Sequence, residues 1–200
     1  MTRFYLIRHG EKSSPPNVLS ARAPGVPLTE FGEKQAEAVA ARLANEPIHR
    51  IYASPMQRAQ HTAAPLARAK RVPIEMLEAV HEFDFGEWTN RSMDSLEGDA
   101  RWKSFNGFRS ATPTHGGELM LEIQARFVRA MVKLRDDYPN QGIALFSHGD
   151  PVRAAIMYFA GTPMDFWSRF EISVGSISVI ELGTDHVRIL RINEVALPSP

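Results

Sequence analysis

The sequence predicts an α/β fold, a three-layer α/β/α sandwich with a mostly parallel central sheet and a small cap insertion of helices and loops. Two observations support this prediction. Strand-type and helix-type patterns alternate along the 200 residues, as in proteins whose parallel strands are joined by helices. Two short apolar runs, Phe4 to Ile7 and Ile143 to Phe146, have the composition of strands that are buried on both faces.

The first strands and helices can be predicted from residues that typically begin or end such elements. After the first strand, prolines and a glycine between residues 13 and 27 indicate a loop. Thr29 is expected to cap a helix with apolar residues at helical spacing, and Arg50 to Ala53 reads as the second strand. Ser54-Pro55 is expected to begin the next helix, with the proline in its first turn.

The second half of the chain continues the alternation. A long amphipathic helix is predicted over about residues 117–137, and Pro151 is expected to begin a helix that ends near Ala160. Two final strands, Ser176 to Leu182 and Val187 to Ile192, flank a turn-forming segment and predict an antiparallel hairpin.

Length and composition predict one domain over residues 1–200, with residues 83–117 as a cap insertion, since they interrupt the alternation. The 23 basic and 23 acidic residues balance, so nothing predicts binding to nucleic acid or to a membrane. The absence of cysteine excludes disulfides and thiol catalysis. Because the sequence has neither an apolar run of about 18 residues nor a removable signal, we expect a cytoplasmic protein.

Residues suited to phosphate chemistry follow both buried apolar strands. Arg8-His9-Gly10 comes directly after the first, and Ser147-His148-Gly149 directly after the other. Ligands of open α/β sheets bind beyond the carboxyl ends of the strands. Arginine offers a planar fork of donors that matches phosphate oxygens, and a neutral imidazole can attack phosphorus. The sequence therefore predicts a phosphate-transfer site at this edge of the sheet.

Arg58 is expected to point to the same site. It lies in the first turns of a helix that begins at a strand's carboxyl end, where free backbone amides also favour an anion. The remaining histidines that we considered are expected to cap loops or to lie at the surface; they are His61, His81, His115 and His186.

Five short motifs follow one another along nearly the whole chain. They are Arg8-His9-Gly10, Leu28 to Ala36, Tyr52 to Ala63, Glu82 to Trp88 and Ser147-His148-Gly149. In order and spacing this set resembles the histidine phosphatase superfamily, whose fold is phosphoglycerate-mutase-like. The run Phe83 to Trp88 resembles the phosphatase branch, since mutases of this fold usually have histidine-tyrosine-glycine after the glutamate.

The resemblance implies a metal-independent phosphomonoester hydrolase of the histidine acid type, with no cofactor and a small phosphorylated metabolite as substrate. His9 would be the nucleophile and would carry the phosphoryl group as phosphohistidine. Glu82 would be the general acid. His148, Arg8 and Arg58 would surround the phosphoryl oxygens and stabilise the charge that develops on them.

Three further residues are candidates for binding the substrate. Lys12 stands where the family commonly has a small hydroxyl residue, and it is either solvated or able to reach a second anionic group. Asn17 could be a phosphate ligand. Glu118 could orient an arginine or the substrate, or it could interact with the helix dipole from the first turn of the long helix. The basic and aromatic residues of segment 83–117 would suit an anionic substrate with a ring or a second acid group.

Three alternatives remain open. A phosphoglycerate-mutase-type phosphotransferase would use the same histidine chemistry. A metal hydrolase could recruit His9, Glu82, His148 and Asp150 as ligands, although no compact motif such as His-Glu-x-x-His is present. A noncatalytic phosphate-binding protein would keep the arginines but would typically lose the nucleophile or the acid, and both are present here.

Overall fold

The computed structural model describes residues 1–15 and 17–196 and confirms the predicted α/β class. Its strands are β1 (Thr2–Arg8), β2 (Ile48–Ala53), β3 (Ile74–Met76), β4 (Gly142–Ser147), β5 (Ser176–Leu182) and β6 (Val187–Val195). Its α-helices are α1 (Glu30–Arg42), α2 (Gln57–Lys70), α3 (Met93–Glu97), α4 (Ala100–Gly107), α5 (Met120–Asp137) and α6 (Gly149–Phe159). None of these helices has the length and apolar character to cross a membrane.

The six strands form one sheet in the order β3-β2-β4-β1-β5-β6. Strands β1, β2, β3 and β4 are parallel, and β5 joins β1 in antiparallel pairing. Strands β5 and β6 form the predicted antiparallel hairpin. In the pairing of β1 with β4, Arg8 lies opposite Ser147, so the residues that follow these strands emerge at the same edge.

Alternate residues of β1 face two separate cores, which gives the fold its three layers. Phe4 and Leu6 pack in a cluster with residues of α5 and α6, whereas Tyr5 and Ile7 pack in a second cluster with residues of α1 and α2. Successive side chains of a strand point to opposite faces, and all four of these are fully buried. The sheet is therefore covered on both faces.

Three helix starts differ from the sequence prediction. Helix α2 begins after Pro55, which lies ahead of its N-cap rather than in its first turn. Helix α5 begins at Met120, because the backbone of its N-cap residue Leu119 is extended, with φ −89° and ψ 145°. Helix α6 begins at Gly149, directly after β4, and Pro151 occupies its first turn. The predicted cap at Thr29 is confirmed, since its hydroxyl accepts from the Gly32 amide at 3.0 Å.

Segment 83–117 contains α3, α4 and a 3₁₀ helix, Gly86–Trp88. Its aromatic rings pack on one another and against residues at the start of α5 and along α6; they are Phe83, Phe85, Trp88, Trp102 and Phe105. Four of these five rings are buried and form a small core of the segment, whereas Phe108 of the same segment is 55% exposed. That the segment caps the site stays a prediction.

Candidate active site

The predicted site residues converge at the carboxyl edge of β1, β2 and β4. The chain leaves β1 through Gly10, whose amide donates to Thr62 Oγ1 of α2 at 3.0 Å. A Cβ atom on Gly10 would lie 2.5 Å from the carbonyl oxygen of Gly32 at the start of α1. Only glycine fits at this close approach, which fixes the path of the residues beside it.

The His9 ring is buried, with 2% of the residue exposed, and two contacts define its orientation. Nδ1 lies 2.7 Å from the Gly10 carbonyl oxygen, which can only accept, so Nδ1 carries the proton. Nε2 then holds the lone pair and accepts a hydrogen bond from Arg58 Nε at 3.2 Å. This is the tautomer that a nucleophilic imidazole needs.

Both site histidines are neutral near pH 7. Burial, followed by the charges of Arg58 and Arg8, holds the pKa of His9 well below its usual range. Burial and the charge of Arg58 lower the pKa of His148 in the same way. The predicted pair is therefore available in the unprotonated form that nucleophilic attack requires.

His148 is the fully buried N-cap residue of α6, and its ring meets that of His9 edge-on with centroids 5.2 Å apart. Its Nε2 lies 2.8 Å from Ser54 Oγ. Its Nδ1 is 3.5 Å from Glu82 Oε2 and has no hydrogen-bond partner among residues 1–15 and 17–196. Sequence reasoning did not select Ser54, although it follows β2 directly, as His9 follows β1.

Glu82 is the carboxylate that approaches these histidines. Its Oε1 accepts from the Phe83 amide at 2.9 Å, and its Oε2 lies 3.6 Å from Arg58 Nη2. The neighbouring Asp84 and Glu87 form ion pairs with Arg22 and Arg101, respectively. The structure thus brings Glu82, rather than these sequence neighbours, to the site.

Burial, followed by the charge of Asp150, raises the pKa of Glu82 to about 7. The charges of Arg58 and Arg8 and the Phe83 amide oppose this shift without cancelling it. A substantial fraction of the Glu82 carboxyl is therefore protonated near neutral pH, as a general acid requires.

Two arginines of the site, the buried Arg58 and the partly buried Arg8, present unused donors. Arg58, only 1% exposed, donates from Nη2 to the Ala21 carbonyl oxygen at 2.8 Å, whereas its Nη1 has no partner among the described residues. Arg8 donates from Nη1 to the carbonyl oxygen of Ile172, and within the same part of the chain its Nε is unpartnered. Buried guanidinium groups with free donors favour an anion with several acceptor oxygens.

Glu118 orients two arginines, which is one of its predicted roles. Its carboxylate accepts from Arg22 Nη2 at 2.8 Å and from Arg126 Nε at 3.1 Å. Both arginines also donate to the backbone carbonyl oxygen of Glu82, at 2.8 and 3.1 Å. Because Glu118 precedes the N-cap of α5, it does not occupy the first helical turn that the alternative role required. Arg22 and Arg126, which sequence reasoning missed, hold the backbone of Glu82.

Lys12 and Asn17 lie in different surroundings. The Lys12 ammonium donates to the Ser20 hydroxyl, and burial followed by the charge of Arg58 lowers the pKa of Lys12 to about 8. The Asn17 amide instead donates to Asp94 of α3 at 2.7 Å on the exposed surface. The structure thus brings Lys12 close to the other candidates and ties Asn17 to segment 83–117. A role of either residue in binding substrate stays a prediction.

One ligand atom from each of His9, Glu82 and His148 lies within 4.8 Å of the other two, a composition that could hold a metal ion. The Arg58 guanidinium, however, contacts Nε2 of His9 at 3.2 Å and approaches Oε2 of Glu82 to 3.6 Å. A cation placed here would meet this positive charge at short range, whereas a phosphate would be attracted to it. The charge distribution therefore favours an anion.

Known proteins match this chain over nearly its whole length. The adenosylcobalamin/alpha-ribazole phosphatase of Escherichia coli (strain K12) is 28% identical over 199 residues, which cover 98% of this chain and 97% of that protein. Phosphoserine phosphatase 1 of Hydrogenobacter thermophilus is also 28% identical over 199 residues, covering 96% of this chain and 92% of that protein.

A solved structure and a family model agree with these matches. Bacillus stearothermophilus YhfR superposes with a TM-score of 0.91 at 24% identity, over 98% of each chain, which shows a common fold. Residues 4–195 match the model of the histidine phosphatase superfamily (branch 1). The resemblance of the five motifs is thereby confirmed, and the chain belongs to the histidine phosphatase superfamily.

Proposed function

We propose that this protein is a metal-independent phosphomonoester hydrolase that forms a phosphohistidine on His9 and acts on a small phosphorylated metabolite. One observation carries the proposal: the neutral His9 ring turns its unprotonated Nε2 toward Arg58, with Glu82 and His148 beside it. The two curated relatives described above are phosphatases, which supports hydrolysis as the reaction.

The phosphoryl group would bind between Arg8 and Arg58. Their unused Nε and Nη1 donors, together with His148, would stabilise the charge on its oxygens. A phosphate oxygen would also take over the Arg58 Nε hydrogen bond, which His9 Nε2 accepts in the structure. Substrate binding would thus free the lone pair that attacks phosphorus.

The reaction would proceed in two displacements at phosphorus. In the first, His9 Nε2 forms a bond to phosphorus, the ester P–O bond breaks, and Glu82 gives its proton to the leaving oxygen. In the second, the Glu82 carboxylate takes a proton from a water molecule whose oxygen attacks phosphorus. The P–N bond then breaks, its electron pair returns to Nε2, and inorganic phosphate leaves.

The proposal predicts a labelled protein intermediate. We expect the protein to release phosphate from radiolabelled p-nitrophenyl phosphate in excess chelator and, after an alkaline quench, to retain label on His9. Loss of turnover on addition of chelator would contradict metal independence, and turnover without a labelled protein would contradict the phosphohistidine. Transfer of the label to an acceptor alcohol instead of water would favour the phosphotransferase alternative.

The raised pKa of Glu82 predicts the alkaline side of the pH profile. The protonated acid is lost as the pH rises through about 7, so kcat/KM should fall over that range. Glu82→Gln should remove this limb and slow an alkyl phosphate by about 10²-fold or more. An aryl phosphate should be slowed less, because its leaving group needs no proton. Glu87→Gln, at a 55% exposed side chain of the same motif, Glu82 to Trp88, is the matched control. An unchanged alkaline limb in Glu82→Gln would refute the assignment.

A further inference from the structure

A tight turn at residues 20–23 contacts the candidate active site, and the mechanism above does not use it. The Ala23 amide donates to the Ser20 carbonyl oxygen at 2.7 Å, which closes the turn. Ala21, the first central residue of the turn, has a φ of 43°, in the left-handed region. Turns with a positive φ at this position favour glycine, because a Cβ atom is strained there. A buried alanine therefore holds a conformation that alanine rarely adopts.

The surroundings of Ala21 hold it in this conformation. Just before the turn, Leu19 pairs with Asn90 and Arg91 through two backbone hydrogen bonds of 2.8 and 3.0 Å. The Ala21 methyl group packs in the aromatic cluster of segment 83–117. A residue other than glycine keeps a left-handed backbone only where its surroundings enforce it, and such residues are concentrated at functional sites. The conformation of Ala21 therefore points to a function of its backbone.

The Ala21 backbone contacts the arginine that approaches His9. Its carbonyl oxygen accepts from Arg58 Nη2 at 2.8 Å, and Arg58 Nε donates to His9 Nε2 at 3.2 Å. Two acceptors in the plane of a guanidinium fix its orientation. When a phosphate takes over Nε, as proposed above, the Ala21 oxygen remains the hydrogen-bond acceptor that orients the group. Because the direction of a carbonyl group follows from the backbone angles of its residue, a negative φ at Ala21 would turn this oxygen away from Nη2.

Glu82 does not replace this contact. Its Oε2 lies 3.6 Å from Arg58 Nη2, which is beyond hydrogen-bond distance. Glu82 would also change its charge during the reaction, because it gives up a proton in the first displacement and takes one in the second. The Ala21 carbonyl does not titrate, so it would hold Arg58 equally in both displacements.

We propose that Ala21 is a positioning residue: its left-handed backbone directs its carbonyl oxygen to Arg58 Nη2 and so orients the guanidinium for the phosphoryl group. This role rests on the proposed function. Ala21 does not touch the substrate in this scheme and acts through Arg58. Loss of the positive φ at residue 21 should therefore impair the phosphate site although Arg58 itself is still present.

The test replaces Ala21 by residues that differ in their tolerance of a positive φ. Ala21→Val, with a β-branched side chain, should lower kcat/KM for p-nitrophenyl phosphate by about 10-fold or more, because Arg58 loses its orientation. Ala21→Gly keeps the conformation accessible and should retain activity within about 3-fold. Arg71→Val is the matched control, since Arg71 is an exposed residue with a φ of 56° at the end of α2. It should lower thermal stability without lowering kcat/KM.

A second comparison tests whether Ala21 acts through Arg58. In Arg58→Met, which has no guanidinium, Ala21→Val should cause almost no further loss of kcat/KM, whereas a general disturbance of the site would cause its full loss again. The affinity for inorganic phosphate, measured by calorimetry, should follow the same pattern. It should be about 10-fold weaker in Ala21→Val, and no weaker in the double variant than in Arg58→Met.

A measurement on the unaltered protein does not depend on how Ala21→Val folds. The Nη2 hydrogens of Arg58, assigned by their absence in Arg58→Met, should give resolved NMR signals, because the Ala21 oxygen restricts rotation of this group. One averaged signal for these hydrogens would overturn the role of Ala21.

The outcomes separate this role from the proposed function. Unchanged kcat/KM and phosphate affinity in Ala21→Val, or a full further loss in the Arg58→Met background, would overturn the role and leave the hydrolase standing. An equal loss in Ala21→Gly and Ala21→Val would also overturn it, because the methyl group rather than the backbone would then matter. Phosphate binding in the expected pattern without phosphate release would overturn the hydrolase and retain the role of Ala21 in anion binding. Neither binding nor release would overturn both.

Discussion

Replacement of His9 by alanine is expected to abolish phosphate release and to leave no label on the protein. The loss in kcat should be on the order of 10⁴-fold or more, as for other enzymes that lose their nucleophile. The physical reason is that the neighbouring ring of His148 cannot take over, because its Nε2 is engaged by Ser54 and its Nδ1 faces Glu82. The measurement is phosphate release from p-nitrophenyl phosphate in excess chelator.

The matched control for this variant is His186→Ala. His186 lies in the turn between β5 and β6 with a 52% exposed side chain, so its removal should leave turnover intact. Equal activity of His9→Ala and the unaltered protein would assign the attack on phosphorus to another group. Thermal unfolding of both variants should be compared, so that loss of the site is distinguished from loss of the fold.

Replacement of Arg58 by methionine is expected to lower kcat/KM by about 10² to 10³-fold, the usual cost of removing one donor from a site that stabilises developing charge. It should also move both limbs of the pH profile to higher pH. The Arg58 charge lowers the pKa of His9 and that of Glu82, so its removal raises both. The acidic limb then shifts upward because His9 protonates more readily, and the alkaline limb because Glu82 keeps its proton longer.

Two further variants test the reason for this effect. Arg58→Lys retains the charge but not the planar fork, so its pH limbs should shift less than those of Arg58→Met. Arg68→Met removes a 66% exposed arginine from the same helix and should change neither rate nor profile. A large loss of activity in Arg58→Met with both limbs in place would contradict the effect of the Arg58 charge on the two titrating groups and would leave only its contact with the phosphoryl group.

Sequence reasoning placed the residues whose position depends on strand ends. Arg8, His9 and His148 follow buried apolar strands, and parallel pairing brings such ends together without further information. Arg58 could be predicted for a similar reason, since it lies in the first turn of α2, the helix that follows β2. For these residues a local pattern and one rule of α/β topology suffice.

The other site residues depend on contacts between distant parts of the chain. Arg22 and Arg126 meet at Glu118, and no local pattern shows that an arginine in a loop will reach a carboxylate 96 residues away. Glu82 could be chosen among its acidic neighbours only through the family resemblance. The apolar residues after β3 show neither helical nor strand periodicity, so the sequence does not indicate which carboxylate faces the site. The cluster that most of the aromatic residues of segment 83–117 form with one another could not be predicted either, because burial within such a cluster is a tertiary property.

The position of Glu118 between Arg22 and Arg126 has a consequence for how this enzyme can diversify. Both arginines hold the backbone oxygen of Glu82, and Glu118 also accepts from the Asp84 amide at 3.0 Å. The main chain at Glu82, the proposed proton donor, is thus held by Arg22, Arg126 and Glu118. None of these contacts involves a side chain of α3 or α4. If segment 83–117 caps the site, as predicted, substitutions in those two helices would change the fit to a leaving group without moving the proposed acid. In that case the protein could acquire new substrates through changes in one segment, without any change in the contacts that hold Glu82.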